Sequence, residues 1–406
     1  MKPRPTRPRM ASIIGRVRPS ATVAIDQQAK AMQRAGTEVF NLSAGELDFS
    51  TPEHIVKAAQ VAAENSACHH YTPTAGLPAL RRAIAEHTCT TTGVHVGAAN
   101  VLVTNGGKQA VFQSLAVLVD PGDEVLLPAP YWTTYPEASR LMRGTPVPVH
   151  AASDTLRVTA ADLESVRTLR SRVLVLCSPN NPTGAIHTRH ELEEIGAWAT
   201  EHEIWIISDE MYSSLTYPPA EHVSILDAYP DAAERTILIN ALSKSHAMTG
   251  WRLGWMVAPL DVIAAATTLQ SHLSSHVSNI AQHAAIAALT GDQSATIFMR
   301  ERLQVRRDLL LSVFSAVENI RVRVPDGAFY VFLDVRDWLH AHPRIGTSQT
   351  LAERLLQQMH TAVVPGEAFG APGHLRVSFA GNEAHIRTGA DRLADFLAHP
   401  YNRSTQ

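Results

Sequence analysis

Through the middle of the chain, short apolar runs alternate with stretches in which apolar positions recur every three or four residues. The runs at 100–103, 124–127, 172–177, 204–208, 236–240 and 253–257 read as strands. Several are apolar throughout rather than alternating, as strands covered on both faces are. Helical periodicity fills the intervals. Thr51-Pro-Glu53 predicts a helix start, with a capping threonine and proline at the first helical position. Thr188 and Glu191 have capping-box spacing for a helix running to about His202. The alternation predicts an α/β fold whose large domain has three layers around a mostly parallel mixed sheet. A long helical stretch over 297–319 follows, then strands near 328–334 and 374–378 and a closing helix over 385–398.

Composition narrows the function classes. A chain of 406 residues is long enough for two domains of roughly 100–200 residues each. With 45% hydrophobic and 18% charged residues it has the make-up of an ordinary globular protein. A formal charge of −3 gives no global attraction for nucleic acid or membranes. Cys68, Cys89 and Cys177 lack metal-ligand spacing and are odd in number, which points to reduced thiols in a cytoplasmic protein. No apolar run approaches the roughly 20 residues that span a bilayer. The first ten residues carry Lys2, Arg4, Arg7, Arg9 and three prolines without a signal peptide's apolar core. Residues 1–11 therefore read as a disordered extension, with Met10 an alternative start.

Candidate chemistry lies at the ends of the strands. Lys244, in Ala241-Leu-Ser-Lys-Ser-His-Ala-Met-Thr-Gly-Trp-Arg252, follows an apolar strand and is placed to carry a cofactor as a Schiff base. Arg252 can reach the same ligand with a charge-assisted fork. Val103-Thr-Asn-Gly-Gly-Lys-Gln109 leaves a strand and enters a helix, so the amides of Gly107, Lys108 and Gln109 can face an anion. Asp209 ends the run at 204–208, where a carboxylate emerges at a sheet edge. Each piece alone has an ordinary reading: a solvated lysine, a strand–helix turn, a capping aspartate.

Order changes that assessment. Asn181-Pro-Thr-Gly184, Ser208-Asp-Glu-Met-Tyr212, the Lys244–Arg252 segment and Leu375-Arg-Val-Ser378 follow one another as in fold type I pyridoxal-phosphate enzymes. From about residue 12 to 398 the chain resembles the class I/II aminotransferases, in particular the branch of bacterial aspartate, aromatic and prephenate aminotransferases. The resemblance implies a large cofactor-binding domain over 51–296 and a smaller α+β domain from 12–50 and 297–406. It makes Lys244 the Schiff-base lysine and proton carrier. Asp209 becomes the partner of the ring nitrogen, Tyr212 and Asn181 those of the phenolic oxygen, and Trp132 the stacking ring. Gly107, Lys108, Gln109, Ser243 and Arg252 would hold the phosphate. Tyr71 would reach the phosphate of a neighbouring subunit, making a homodimer with shared sites.

The resemblance also supplies a substrate end. Arg376 matches the clamp for an α-carboxylate, assisted by the Gly45 amide, with Trp132 and Asn181 against the substrate. Lys108, Arg18 and Thr22 match residues that meet its side chain. His272 and His276, placed near the partner's site, read as structural. Three positions depart from the pattern: Ala241 for a usual serine, Leu47 for a usual proline, which predicts a less rigid loop, and Arg18 for a usual lysine. The implied reaction is ping-pong transfer of an amino group between an amino acid and a 2-oxo acid. A dicarboxylic amino acid is the first expectation, an aromatic or prephenate-type one the second. The same apparatus also suits elimination, cyclisation or oxidation of amino acids. A regulator built on such a module needs a DNA-binding domain ahead of it, which ten proline-rich residues cannot supply. No metal is expected.

Overall fold

The computed structural model describes residues 11–400; the extension expected at 1–11 lies, but for Ala11, outside them. After a short strand β1 (Phe40–Asn41), seven strands form the main sheet: β2 (Val101–Thr104), β3 (Glu124–Ala129), β4 (Thr145–His150), β5 (Ser171–Cys177), β6 (Trp205–Asp209), β7 (Thr236–Ala241) and β8 (Gly254–Val257). Their order is β2-β8-β7-β6-β5-β3-β4. Only β8 runs against its neighbours, so the sheet is mixed and mostly parallel, as predicted.

The apolar runs are covered on both faces. In β5, Leu174 and Leu176 join one buried cluster with Ile55, Ile84 and Ile206. Val173 and Val175, on the opposite face, pack with Val111, Leu115 and Ile207. Each such side chain withdrawn from water contributes about 1.5–3 kcal/mol before chain entropy is counted. β4 escaped the sequence reading because Thr145-Pro-Val-Pro-Val-His150 has two prolines, which lack ladder donors and are tolerated on the sheet's edge, where this strand lies.

A second core forms on a four-stranded antiparallel sheet. Its strands are β9 (Arg321–Val322), β10 (Tyr330–Asp334), β12 (Val364–Pro365) and β13 (His374–Ser378), in the order β12-β13-β10-β9. The remaining strand, β11 (Thr361–Ala362), pairs parallel with β1 and so joins the two ends of the chain. Phe329, Leu333, Leu355, Phe379 and Leu393 fill this core.

Helix boundaries moved in instructive ways. The Thr188–Glu191 capping box is present, with Glu191 N–H donating to Thr188 Oγ1 at 3.2 Å and Thr188 N–H to Glu191 Oε2 at 2.8 Å. Thr51 is not a cap: Pro52 occupies that position before helix Glu53–Glu64. The Thr51 hydroxyl instead donates to Ala247 O (2.8 Å) and accepts from Trp251 Nε1 (3.0 Å), tying the segment after Lys244 to the N-terminal chain. The helix expected at 297–319 spans Ser294–Phe314, and Asn319 has φ 61°, which a continuing helix excludes. The closing helix starts earlier than expected, at Glu383, because Asn382 Oδ1 accepts from Ala384 N–H and caps it.

Candidate active site

The parallel strands β5, β6 and β7 end side by side in Cys177, Asp209 and Ala241, and the chain segments leaving them form the wall of a cavity of about 460 Å3. Asn181 follows β5, Lys244 follows β7 in the short helix Leu242–Ser245, and Trp132 follows β3. Arg376 enters from β13 on the small sheet. All of these except Ala241 line the one cavity. A size of roughly 300–1,000 Å3 is ordinary for a small-molecule site.

Charge at this edge is held out of water. Asp209 is buried, its Oδ2 accepting from Tyr135 Oη at 2.8 Å and its Oδ1 from Met211 N–H at 3.2 Å. Burial pushes its pKa up to about 6, with Glu210 adding to the rise and the two hydrogen bonds opposing it. Lys244 Nζ donates to Gly45 O at 2.5 Å and lies 5.6 Å from the centroid of the Phe329 ring. Burial lowers its pKa to about 8; Glu46 works the other way, while Arg376, Arg252 and Lys108 add to the fall. Near-neutral pH therefore brings a lysine close to losing its proton. Tyr212 Oη meets Tyr330 Oη at 3.2 Å, and burial raises both phenols.

Arg376 is buried and extends Nη1 to Asn181 Oδ1 (2.9 Å) and Nη2 to Ser43 O (2.7 Å). Its guanidinium lies over the Tyr330 ring, 4.2 Å from the centroid, and its Nε is buried without a partner. Desolvation lowers its pKa, yet a guanidinium stays protonated. Among the described residues it therefore meets neutral acceptors, not a carboxylate. Gly184 closes the Asn-Pro-Thr-Gly turn with φ +69°, and a Cβ there would lie 2.4 Å from Pro325 Cβ.

The turn into helix Gly107–Leu118 supplies an anion cradle. Gly106 (φ +79°) is its N-cap, and a Cβ there would fall 2.6 Å from Arg252 Nη2, so glycine lets the guanidinium close on the loop. Arg252 is held by Thr249 O at 2.8 Å. Gly107 and Lys108 stand in the first turn, where amides lack helical acceptors. The Gln109 amide does not join them, because Gly106 O takes it at 3.1 Å; the Gln109 side chain caps Asn105 N–H instead, at 2.7 Å. Ser243 is buried in the lysine helix, and Ala241 Cβ is 3.9 Å from where a Gly107 Cβ would be, so a hydroxyl at 241 would reach this loop. A phosphate-bearing aromatic aldehyde fits this donor set: amides and an arginine at one end, a buried carboxylate and an amine at the other.

Other expected residues are placed differently. Thr22 lines the main cavity together with Asp26 and Lys30, from helix Ala21–Arg34. Arg18 and Lys108 line a neighbouring cleft of about 410 Å3 with Tyr131, Glu137 and Arg140, and Lys108 Nζ sits 5.2 Å from the centre of the Trp132 ring. Tyr71 does not line its own chain's cavity and is 90% exposed, edge-on to His276. His276 Nδ1 donates to Val277 O at 2.7 Å, in keeping with a structural histidine, and His272 is exposed. The looser loop expected at Leu47 is pinned: Leu47 is buried, and the Asp48 carboxylate takes Arg306 Nη1 at 2.7 Å. Tyr135, Tyr330 and Glu46 were missed. Tyr135 lies in the first turn of helix Thr134–Leu141, three residues after Trp132 in the loop ahead of it, so no helical period links the two rings.

The sequence profile of the family "Aminotransferase class I and II" matches residues 37–393. An aspartate aminotransferase of Streptomyces avermitilis is 46% identical, across 97% of this chain and 98% of the relative. An aspartate/prephenate aminotransferase of Cereibacter sphaeroides is 37% identical, across 96% and 98%. Among solved structures, an aspartate aminotransferase from Thermus thermophilus with maleate superposes with TM-score 0.89 at 37% identity, covering 96% of this chain and all of that one. This chain belongs to the class I and II aminotransferases, enzymes that depend on pyridoxal phosphate.

Proposed function

We propose that the enzyme moves an amino group from an aspartate-like amino acid to a 2-oxo acid by a ping-pong route. The observation that carries the substrate end is Arg376, a buried cation held on neutral acceptors at the cavity wall. A buried charge without a counter-ion is costly, and an incoming carboxylate supplies one in a bidentate grip. The relatives named for aspartate and prephenate, and the Thermus enzyme solved with maleate, support a dicarboxylic substrate.

The residue roles follow from position. Gly107, Lys108, Ser243 and Arg252 would hold the cofactor's phosphate, and Lys244 Nζ would carry its aldehyde carbon. Asp209 would keep a proton on the ring nitrogen. Tyr212 Oη and Asn181 Nδ2 would donate to the ring oxygen, leaving Asn181 Oδ1 on Arg376. Trp132 would lie against the ring. Bound there, the cofactor supplies a conjugated system that accepts the electrons of the bond broken at the substrate's α-carbon. Lys244, its amine lowered towards neutrality, would take the substrate's α-proton and return it two bonds away, across the intervening nitrogen. Arg376 holds the α-carboxylate, and Thr22, with Arg18 and Lys108 after an inward shift, meets the side chain. The residue expected to fail is Gln109, whose amide is taken.

Tyr71, exposed and unused by its own cavity, supports a homodimer in which each chain completes the other's phosphate site. Sedimentation reads that directly: a fully active monomer would remove it. The same reading divides the chain into a large domain, 51–296, and a small one from 12–50 and 297–406. Three unpaired cysteines support a reducing, cytoplasmic setting. Among the described residues no helix is long and apolar enough to cross a membrane.

The deciding experiment gives the loaded enzyme aspartate without an acceptor. Transamination yields one equivalent of 2-oxo acid per site and stops with the amino group retained. Continuous release of ammonia would replace this reading with elimination.

A further inference from the structure

The geometry points to Tyr135 as the positioning residue that keeps Asp209 ionised and aimed into the cavity. This deepens the proposed function, since it assumes that Asp209 serves the cofactor's ring nitrogen. Three observations carry it. Tyr135 Oη donates to Asp209 Oδ2 at 2.8 Å, with both side chains buried. Each Asp209 oxygen thereby has one donor, a phenol on Oδ2 and the Met211 amide on Oδ1. The Tyr135 ring also meets Trp132 edge-on, with centroids 5.5 Å apart and planes at 85°, so one residue braces the acid and the stacking ring together.

The surroundings make that donor matter. Asp209 is paired across the ladder with Cys177, whose buried thiol is pushed up to about 12 and stays neutral. Next along the chain, Glu210 is held by Ser208 Oγ (2.9 Å), Ser224 Oγ (2.8 Å) and His222 Nε2 (2.9 Å), so its negative charge is fixed behind the strand and opposes a second one on Asp209. Burial and Glu210 favour the protonated acid, whereas a ring nitrogen that must hold its proton needs the anion. Tyr135 is the side-chain donor that tips this balance. Its own pKa lies well above the ordinary phenol value, so it donates and does not ionise.

The test reads Asp209 in cofactor-free enzyme by infrared difference spectroscopy, with Asp209→Asn identifying the carboxyl band. Tyr135→Phe keeps the ring and removes the donor, and should raise the titration midpoint by about 1 to 2 pH units, the worth of a hydrogen bond to a charged group. Site-specific 3-fluorotyrosine at 135, a stronger donor, should lower the midpoint and guards against a folding defect in the phenylalanine variant. In the holoenzyme, Tyr135→Phe should weaken pyridoxal phosphate binding at neutral pH, with part of the loss recovered as pH rises. A midpoint that moves in neither variant overturns the proposal. Midpoints that move while Asp209→Asn leaves cofactor binding untouched would uphold the Tyr135–Asp209 coupling and overturn the ring-nitrogen reading instead.

Discussion

At the sheet edge of the cavity, Cys177, Asp209 and Ala241 end three neighbouring strands of one hydrogen-bonded ladder. At its mouth, Thr22, Asp26 and Lys30 project from helix Ala21–Arg34, in which only Ala29 is fully buried. The edge groups are buried or half-buried and perturbed, Asp209 upward and Lys244 downward. At the mouth, Asp26 and Lys30 form a 2.8 Å ion pair with the lysine half-exposed, of a kind worth less than about 1 kcal/mol. The contrast separates two tasks. Bond chemistry needs groups held to within about half an ångström, which a packed sheet gives. Choosing a side chain needs a surface that can adapt, and an element with little buried area reorganises at low cost.

If the packed groups around the cavity, Asp209 and Lys244 beside the large sheet and Arg376 on β13 of the small one, are rigid and essential, their substitutions should act on every substrate. Arg376→Ala should lower kcat/KM by about 10^2- to 10^4-fold for charged and uncharged amino acids alike, as losing one partner of a buried ionic grip costs roughly 3–5 kcal/mol. Steady-state kinetics on an amino-acid panel would show it. A loss confined to dicarboxylates would move Arg376 from the shared clamp to the mouth.

Asp209→Asn should sharpen the comparison through stability. The folded carboxyl titrates at about 6 against an ordinary 3.8, so the folded state binds more protons between those values. Its contribution is present below about pH 4 and is lost as pH rises through 6. Replacing it should therefore stabilise cofactor-free protein by about 2–3 kcal/mol at pH 8 and by almost nothing at pH 3.5. Urea unfolding at the two pH values checks this, and an equal effect at both would contradict the burial account.

The neighbouring cleft lined by Lys108 and Arg18 should give the smallest and most selective effects. Lys108→Gln or Arg18→Gln should reduce kcat/KM for aspartate by about tenfold while leaving an uncharged amino acid within about twofold, the size of one lost exposed-to-half-buried charge contact. Equal losses for both substrates, tracking weaker cofactor binding, would assign Lys108 to the phosphate alone.

Legibility in the sequence divided along the same line. Lys244, Asp209, Asn181 and Arg376 lie in short segments whose order names the site, and the strands beneath them are apolar enough to be read directly. Tyr135 and Tyr330 were not read, because their roles arise from contacts with Asp209 and Tyr212 that are 74 and 118 residues away. β4 was hidden by its prolines and Thr51 by a hydroxyl spent on Ala247 and Trp251. Arg18 and Lys108 had matching positions, yet they open on a neighbouring cleft: Arg18 lies in the loop before helix Ala21–Arg34 and Lys108 in the first turn of helix Gly107–Leu118, and position in sequence does not fix where a long side chain points.

The central claim is that Lys244, at the edge of the sheet, carries the cofactor. Reducing the pyridoxal-phosphate-loaded enzyme with borohydride and mapping the peptides tests it most directly. The account predicts a visible absorption band that disappears on reduction and a single label on the peptide containing Lys244, with none in Lys244→Ala. A label on Lys108, or on any other lysine of the intact enzyme, would contradict it.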